Sequence, residues 1–161
     1  MITVLLLDID GVLTDGTVLL DESGRELKTL AYRDIDAVFF ARREGIQVVL
    51  VTGEDSPWVE VVAKRLQTDL IYRGAKDKRK AVKQVCTDLS TMPAEICYVG
   101  DSWRDAEAFA DVGLALAPAD ASEAARAAAH QVLRRGGGAG AVAEAVDMIL
   151  EARGGSFKKL A

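Results

Sequence analysis

The amino-acid sequence predicts an α/β fold, namely a doubly wound, Rossmann-like parallel sheet with helices on both faces. Short apolar runs alternate with helix-like segments along the chain, and the runs are continuously apolar, as in strands buried on both faces. Of the 161 residues, 50% are hydrophobic and 28% are charged, a composition typical of a globular domain. We therefore expect a single domain over residues 1–153, followed by a C-terminal tail over residues 154–161.

Five apolar runs are predicted to be strands. The first, Thr3–Leu7, is rich in leucine and β-branched residues and stops at Asp8. The other runs have the same short, apolar character and cover residues 47–51, 70–72, 96–99 and 114–116. Because helix-like segments connect most of these runs, neighbouring strands should run parallel.

Helix boundaries are indicated by residues that commonly start or stop helices. Asp36–Glu44 contains a group of apolar residues and is followed by Gly45, a frequent residue just after a helix. Ser56 and Pro57 suit the N-cap and the first position of the next helix. Further helices are predicted over residues 77–89, 103–110, 122–129 and 141–152.

One segment interrupts the alternation of strands and helices. Residues 17–30 predict a β-hairpin, because two strand-like runs flank Asp21-Glu-Ser-Gly24, a turn with glycine where a positive φ angle is needed. The hairpin would project shortly after Asp8 and Asp10. It is too small to be a domain of its own.

Composition and charge exclude several classes of protein. The net charge of −5, with one histidine, argues against nucleic acid as the main partner. No apolar run approaches the roughly 18 residues that cross a bilayer, and the N-terminal run has no basic leader, so neither a membrane partner nor a signal peptide is expected. Cys86 and Cys97 are too few for a disulfide framework. A reducing, cytoplasmic location is therefore expected.

Polar residues follow three of the predicted strands where each strand ends. Asp8 and Asp10 follow the first strand, Thr52 and Gly53 follow the second, and Asp101 comes shortly after a later one. In open parallel sheets, ligands bind outside the carboxyl ends of the strands. This convergence is the main functional signal of the sequence.

The spacing of Asp8 and Asp10 indicates a cation site. On an extended backbone, residues two apart point the same way, so both carboxylates would face the same space. Two close carboxylates repel each other unless a cation or a proton intervenes. Oxygen ligands favour Mg²⁺, and Asp101 would complete the cluster from another strand. The alternative is that these acids are merely solvated residues at a strand end.

Two further residues suit the binding of an anion. Thr52-Gly53 offers a hydroxyl and backbone N–H groups after a buried strand, although most such pairs are simple turns. Lys78 stands at the start of a predicted helix, where an ammonium group would neutralise phosphate oxygens. Taken alone, a surface lysine would be the favoured interpretation.

In chain order, these residues resemble the four motifs of the haloacid dehalogenase superfamily, and the resemblance covers nearly the whole chain. The motifs are Asp8-x-Asp10-Gly-Val-Leu-Thr14, Thr52, Lys78 and Gly100-Asp101. Further segments resemble the small branch that lacks a cap domain, which contains 3-deoxy-D-manno-octulosonate 8-phosphate phosphatases and relatives acting on nine-carbon, sialic-acid-type sugar phosphates. These segments are Leu13-Thr-Asp-Gly16, Arg33-Asp34, Gly74-x-x-Asp77-Lys78 and Gly136-Gly-Gly-Ala-Gly140-Ala-Val.

The resemblance implies phosphoryl transfer in two steps. Asp8 would attack phosphorus and form an aspartyl-phosphate, while Asp10 would protonate the departing oxygen and then deprotonate the hydrolytic water. Asp8, the main-chain carbonyl of Asp10 and Asp101 would hold Mg²⁺. Thr52 and Lys78 would hold the phosphate oxygens.

The capless branch also implies an assembly. Its members resemble one another in forming tetramers, in which the hairpin and a neighbouring subunit cover the pocket and exclude water. We therefore expect a homotetramer acting on a phosphorylated sugar acid, with residues 136–140 near a neighbour's site.

The resemblance also suggests residues that would bind the substrate. Glu54 stands where octulosonate phosphatases usually have arginine and where relatives acting on nine-carbon acids have glutamate. It therefore favours a nine-carbon acid, although it would equally favour the following helix N-terminus. The other candidates are Thr14, Arg33, Gly53 and Arg65.

Two departures from the pattern of the branch affect charged positions. Val62 stands where relatives tend to carry arginine, and Lys64 or Arg65 on the same helix would supply the charge. Ser102 replaces a common aspartate, which leaves Asp105 as the carboxylate that holds metal-bound water or Lys78.

Three other functions are compatible with parts of the pattern. A phosphoacceptor signalling domain also has an aspartate at a strand end, with acids and a lysine nearby, but it does not need Asp10. The remaining alternatives are a non-catalytic scaffold and a phosphatase of the same superfamily for a different small metabolite.

Overall fold

A computed structural model of the protein describes residues 1–155. Its strands are β1 Val4–Leu7, β2 Leu19–Leu20, β3 Glu26–Leu27, β4 Gln47–Val51, β5 Ile71–Tyr72, β6 Ile96–Val99, β7 Leu114–Ala117 and β8 Gln131–Val132. Its helices are α1 Tyr32–Arg43, α2 Pro57–Leu66, α3 Lys78–Asp88, α4 Trp103–Ala108, α5 Glu123–Ala128 and α6 Ala141–Ala152. Most of the predicted tail, from residue 156 onward, lies outside the described residues.

Six of the strands form one parallel sheet in the order β5-β4-β1-β6-β7-β8. The predicted α/β fold is confirmed, and no cap domain interrupts the described chain. The prediction missed β8, because Gln131–Val132 is a short, exposed pair at the edge of the sheet and carries no apolar run. The prediction also started the first helix four residues late, at Asp36, whereas α1 begins at Tyr32. The first turn that it missed contains the buried Asp34.

The continuous apolar character of the strands follows from helices on both faces of the sheet. Leu5 and Leu7 of β1 pack among residues of α1, α2 and α6, whereas Val4 and Leu6 pack among residues of α3, α4 and α5. All four side chains are buried, and each buried leucine contributes about 2 kcal/mol through removal of apolar surface from water. The rigid centre of the sheet therefore fixes the residue that follows β1.

Within residues 1–155, the helices are too short or too polar to cross a bilayer.

The predicted hairpin is present, with β2 and β3 paired antiparallel. Its turn is held by Asp21, whose Oδ1 accepts hydrogen bonds from the backbone N–H groups of Ser23 (2.9 Å) and Arg25 (3.0 Å). The hairpin nevertheless exposes apolar side chains, and Leu19 keeps 66% of its surface in solvent. An exposed apolar patch of this kind is typical of a surface that another protein covers.

The glycine-rich loop before α6 packs against the loop that follows β1. The Gly138 N–H donates to the carbonyl of Val12 (3.0 Å), and a Cβ atom at Gly137 would lie 2.0 Å from the carbonyl oxygen of Gly11. Only a residue without a side chain allows this approach. The glycines are thus required within a single chain, and their proximity to a neighbouring subunit stays a prediction.

Asp34 on α1 joins this loop to the first helix. Its buried carboxylate accepts hydrogen bonds from the N–H groups of Gly140 (3.1 Å) and Ala143 (2.9 Å) at the start of α6. Burial raises the pKa of Asp34, and the backbone donors oppose that rise. The Arg33-Asp34 segment therefore has a structural role beside the first loop.

Candidate active site

The site lies at the carboxyl end of β1, next to the ends of β4 and β6. The Asp8 N–H donates to the carbonyl of Val99 (3.1 Å), and a wide turn over Ile9–Leu13 is closed by a hydrogen bond from Thr14 N–H to the carbonyl of Ile9 (3.1 Å). The buried Thr14 hydroxyl accepts from Gly11 N–H (3.2 Å) and a second backbone N–H. Thr14 therefore shapes this turn, and its predicted contact with substrate stays a prediction.

Gly11 lets the turn approach the end of β6. Its φ angle is +86°, and a Cβ atom there would lie 1.9 Å from Oδ2 of Asp101. Both the backbone conformation and the close carboxylate thus require glycine at this position. The same contact shows that Asp101 reaches the loop after β1, as the sequence predicted.

Lys78 is buried at the start of α3, unlike a surface lysine. Its ammonium group donates to Oδ1 of Asp8 (3.0 Å) and to the carbonyl of Val51 (2.9 Å), and lies 3.4 Å from Oδ1 of Asp105. Asp77 caps the helix by accepting from the N–H of Lys80 (2.9 Å). One positive charge is therefore inserted between two acids at the sheet edge.

Three carboxylates meet in this region. Asp8, Asp101 and Asp105 each offer an oxygen within 4.8 Å of the others. Burial and the negative charge of Asp105 raise the pKa of Asp8 well above its usual range, and the same two causes raise the pKa of Asp101 to about 6. Lys78 therefore does not balance the acids by itself. A cluster of hard oxygen donors with uncompensated charge suits a divalent cation such as Mg²⁺.

Asp105 is held by protein donors on both of its oxygens. Oδ2 accepts from the N–H (2.9 Å) and hydroxyl (2.6 Å) of Ser102 and from the N–H of Asp101 (3.2 Å), while Oδ1 accepts from the Tyr98 hydroxyl. It also faces Lys78. These contacts suit a residue that orients Lys78 and the loop after β6. The sequence suggested that Asp105 holds either metal-bound water or Lys78, and its role stays a prediction.

The carboxylate of Asp10 lies in a different environment from that of Asp8. Asp10 has extended backbone angles, φ −77° and ψ 122°, and the prediction that its carboxylate shares one space with that of Asp8 stays a prediction. Oδ1 of Asp10 accepts instead from the ammonium group of Lys28 (2.8 Å), and the side chain keeps 34% of its surface exposed. In place of this side chain, Asp105 joins Asp8 and Asp101 in the acidic cluster.

Lys28 is the principal site residue that the sequence reasoning missed. It follows β3 in the hairpin, and its ammonium group donates both to Asp10 and to Oε1 of Glu54 (3.0 Å). Burial would lower the pKa of Lys28, but the hydrogen bonds to the two acids outweigh it and raise the pKa. The available signal was a lysine in the segment predicted to project beside Asp8 and Asp10.

The loop after β4 is held together by its own polar side chains. Glu54 accepts from the Ser56 hydroxyl at Oε2 (3.0 Å), and the Glu54 N–H donates to the buried Thr52 hydroxyl (3.1 Å). Thr52 and Gly53 lie at the carboxyl end of β4, next to β1, as predicted. Glu54 is therefore already engaged by two side chains, Lys28 and Ser56.

The two arginines proposed for substrate binding lie on the exposed sides of α1 and α2. The Arg65 guanidinium stacks over the Tyr32 ring at 5.5 Å, and Arg33 lies alongside Gly140. The structure describes no contact of either with the acidic cluster in residues 1–155. Their substrate role stays a prediction.

The sequence of this chain is similar to the sequences of known hydrolases. A sequence model of the haloacid dehalogenase-like hydrolases matches residues 26–113, a range that includes Thr52, Lys78 and Asp101. The 3-deoxy-D-manno-octulosonate 8-phosphate phosphatase KdsC of Yersinia pestis is 36% identical over 152 residues, which are 94% of this chain and 81% of the relative.

Solved structures show the same similarity. The cobalt-bound deoxy-D-mannose-octulosonate 8-phosphate phosphatase of Haemophilus influenzae has a TM-score of 0.90 and 34% identity, with 95% of this chain and 90% of that chain covered. The corresponding phosphatase of Moraxella catarrhalis, in complex with magnesium ion, phosphate ion and KDO, has a TM-score of 0.89 and 29% identity, with 94% and 87% covered.

Proposed function

The chain belongs to the haloacid dehalogenase-like hydrolases, and from this premise we propose that it is a magnesium-dependent phosphatase of a 3-deoxy-2-ulosonic sugar acid. The enzyme class is phosphoric monoester hydrolase. The observation that carries the proposal is the meeting of Asp8, Lys78 and Asp101 at the carboxyl edge of the sheet. The similarity to octulosonate phosphatases, one of them in complex with magnesium, supports both the substrate class and the metal.

The first step forms a bond between a carboxylate oxygen of Asp8 and phosphorus. The bond between phosphorus and the sugar oxygen breaks, and Asp10 gives its proton to that oxygen, because an alkoxide is a poor leaving group. Lys78 holds the Asp8 carboxylate in place and, with Thr52, binds the phosphate oxygens. Asp8, the Asp10 carbonyl and Asp101 would hold Mg²⁺, whose charge would offset the repulsion between carboxylate and phosphate.

The second step hydrolyses the aspartyl-phosphate. Asp10, now ionised, takes a proton from water as the water oxygen attacks phosphorus, and the bond to Asp8 breaks. Inorganic phosphate leaves, Asp8 is ionised again, and Asp10 carries the proton needed for the next cycle. One acid thus serves as acid and then as base, which suits its partly exposed position.

Eight- and nine-carbon acids are the two candidate substrates. The names of the relatives favour the eight-carbon octulosonate phosphate. Glu54, in place of the arginine usual in octulosonate phosphatases, favours a nine-carbon acid such as a sialic-acid-type phosphate. Its bonds to Lys28 and Ser56 leave part of its carboxylate surface open to a sugar hydroxyl.

The proposal is tested by phosphate release from phosphorylated six-, eight- and nine-carbon acids, with and without Mg²⁺. We expect hydrolysis of the ulosonic acids only with Mg²⁺, and a loss of about 10³-fold or more in Asp8→Asn. Glu54→Arg should shift preference toward the eight-carbon acid. Full activity of Asp8→Asn, or no preference for ulosonic acids over simple sugar phosphates, would contradict the proposal.

The assembly and location implied by the resemblance remain part of the proposal. The exposed apolar side chains of the hairpin, Val18, Leu19, Leu20 and Leu27, support a homotetramer in which neighbouring copies cover them. A cytoplasmic enzyme accords with two free cysteines, one of them buried, whose pKa values are raised by burial.

A further inference from the structure

Lys28 differs from the neighbouring strand residues of the hairpin, because its side chain is largely buried. Its side chain keeps only 6% of its surface in solvent, whereas the adjoining strand residues Glu26 and Leu27 are exposed. Lysine loses about 2 kcal/mol of rotamer entropy when it is fixed, so a buried lysine needs compensating contacts. Lys28 has three such contacts, namely two carboxylates and an aromatic ring.

These contacts surround the ammonium group from different parts of the chain. Asp10 comes from the loop after β1, at 2.8 Å, and Glu54 comes from the loop after β4, at 3.0 Å. The ring of Trp58 on α2 lies 5.8 Å from the nitrogen, within the range of a cation–π interaction. Glu54 is itself held by the Ser56 hydroxyl. The ammonium group is therefore tied to two loops that the sheet positions.

Asp10 depends on this ammonium group for its orientation. Its side chain is about one-third exposed, and within residues 1–155 its carboxylate is held by the hydrogen bond from Lys28. A general acid must lie within about 2.6–3.2 Å of the oxygen that it protonates. A displacement of 1 Å can cost about 100-fold in rate, so the contact with Lys28 bears directly on catalysis.

We propose that Lys28 is a positioning residue for the leaving-group step: it holds the Asp10 carboxyl group toward the departing sugar oxygen, and Glu54 anchors it from the opposite side. This inference rests on the proposed function, because it takes Asp10 as the group that protonates the leaving oxygen. It gives Glu54 a role through Lys28 in addition to any contact with substrate. It also makes the hairpin part of the catalytic apparatus.

The test compares two substrates that differ in their need for a proton. The departing oxygen of 3-deoxy-D-manno-octulosonate 8-phosphate must be protonated, whereas p-nitrophenolate leaves readily without protonation. In Lys28→Met, we expect kcat/KM for the sugar phosphate to fall by about 10- to 100-fold, with KM changed by less than about threefold. The ratio kcat/KM for p-nitrophenyl phosphate should be nearly unchanged, because it excludes the later hydrolysis of the aspartyl-phosphate, which both substrates share. Lys28→Arg should restore part of the loss, because guanidinium also donates to carboxylates.

Two further variants keep the inference open to refutation if Lys28→Met unfolds. Glu54→Gln weakens the anchor and should show the same substrate-selective loss at smaller size. Lys83→Met, an exposed lysine on α3, is the matched control and should behave as the wild type. Equal losses of kcat/KM on both substrates, or a loss on the sugar phosphate that arises from KM alone, would overturn the positioning role of Lys28.

Asp10→Asn separates this inference from the proposed function. If Asp10→Asn hydrolyses both substrates at the wild-type rate, the proposed role of Asp10 is wrong and the inference falls with it. If Asp10→Asn loses kcat/KM on the sugar phosphate but not on p-nitrophenyl phosphate, while Lys28→Met keeps kcat/KM on both, the proposed function stands and the inference about Lys28 alone is wrong.

Discussion

Two lysine–aspartate pairs flank the loop after β1, and they are built in opposite ways. Lys78 and Asp8 are both buried, 3.0 Å apart, at the carboxyl end of the central sheet. Lys28 and Asp10 are 2.8 Å apart, but the lysine comes from an exposed hairpin and the aspartate is partly open to solvent. The proposed nucleophile is therefore held by the central sheet, and the proposed general acid by the hairpin.

This difference matches the work that each acid does. A nucleophile must keep one position through both steps, and a dry, charged environment strengthens the contacts that orient it. The acid exchanges a proton with the leaving group and then with water, which requires access to solvent.

Lys78→Met should affect both kinds of substrate alike. The ammonium group contacts Asp8, which reacts with every phosphoester, so kcat should fall by about 10²- to 10³-fold for both the sugar phosphate and p-nitrophenyl phosphate. Steady-state kinetics measures the two rates, and Lys80→Met on the exposed side of the same helix is the control. A loss confined to the sugar phosphate would erase the distinction between the two pairs.

Asp101→Asn should change the pH dependence of the melting temperature. The pKa of Asp101 is raised to about 6, above the usual 3.8. The stability contributed by its protonated form is therefore lost as pH rises through about 6. Without Mg²⁺, the variant should melt several degrees above the wild type at pH 8, and the two should converge near pH 4.

Added Mg²⁺ should reverse this order at pH 8, because binding to the folded wild type raises its melting temperature while the variant lacks one of the proposed ligands. Melting curves with EDTA or with Mg²⁺ measure both effects. A variant that is stabilised by Mg²⁺ as strongly as the wild type would remove Asp101 from the metal site.

Leu19→Glu should weaken the contact between Lys28 and Asp10 and leave the contact between Lys78 and Asp8 unchanged. A charge on the exposed apolar face of the hairpin should weaken the proposed tetramer, seen by light scattering. The dissociated protein should lose severalfold in kcat on the sugar phosphate, with little change on p-nitrophenyl phosphate. Leu19→Val keeps the apolar face and is the control. A wild-type protein that is already monomeric at full activity would rule out the tetramer.

The sequence was informative where burial leaves a strong pattern. The apolar runs of β1, β4 and β6 are buried on both faces, so their existence and the acids that follow them could be predicted. The order of strands in the sheet was not encoded in any local pattern. The edge strand β8 was missed because its two residues are exposed.

The site was predictable in its members but not in their partners. Asp8 and Asp101 were found because they follow strands, and the role of Lys78 came from the resemblance. The contact of the Asp10 carboxylate with Lys28, outside the cluster that contains Asp8, was not anticipated from alternation along an extended chain. Lys28 was missed because its neighbours in space come from two distant loops.

The hydrogen bonds between Asp34 and the start of α6 also bear on the order in which the site is assembled during synthesis of the chain. Residues 136–143 support the outer side of the loop that carries Asp8 and Asp10, yet they are translated more than a hundred residues later. A nascent chain that ends before them has both acids but lacks the backbone that braces their loop. The backbone contacts that brace this loop therefore form only after residues 136–143 have left the ribosome.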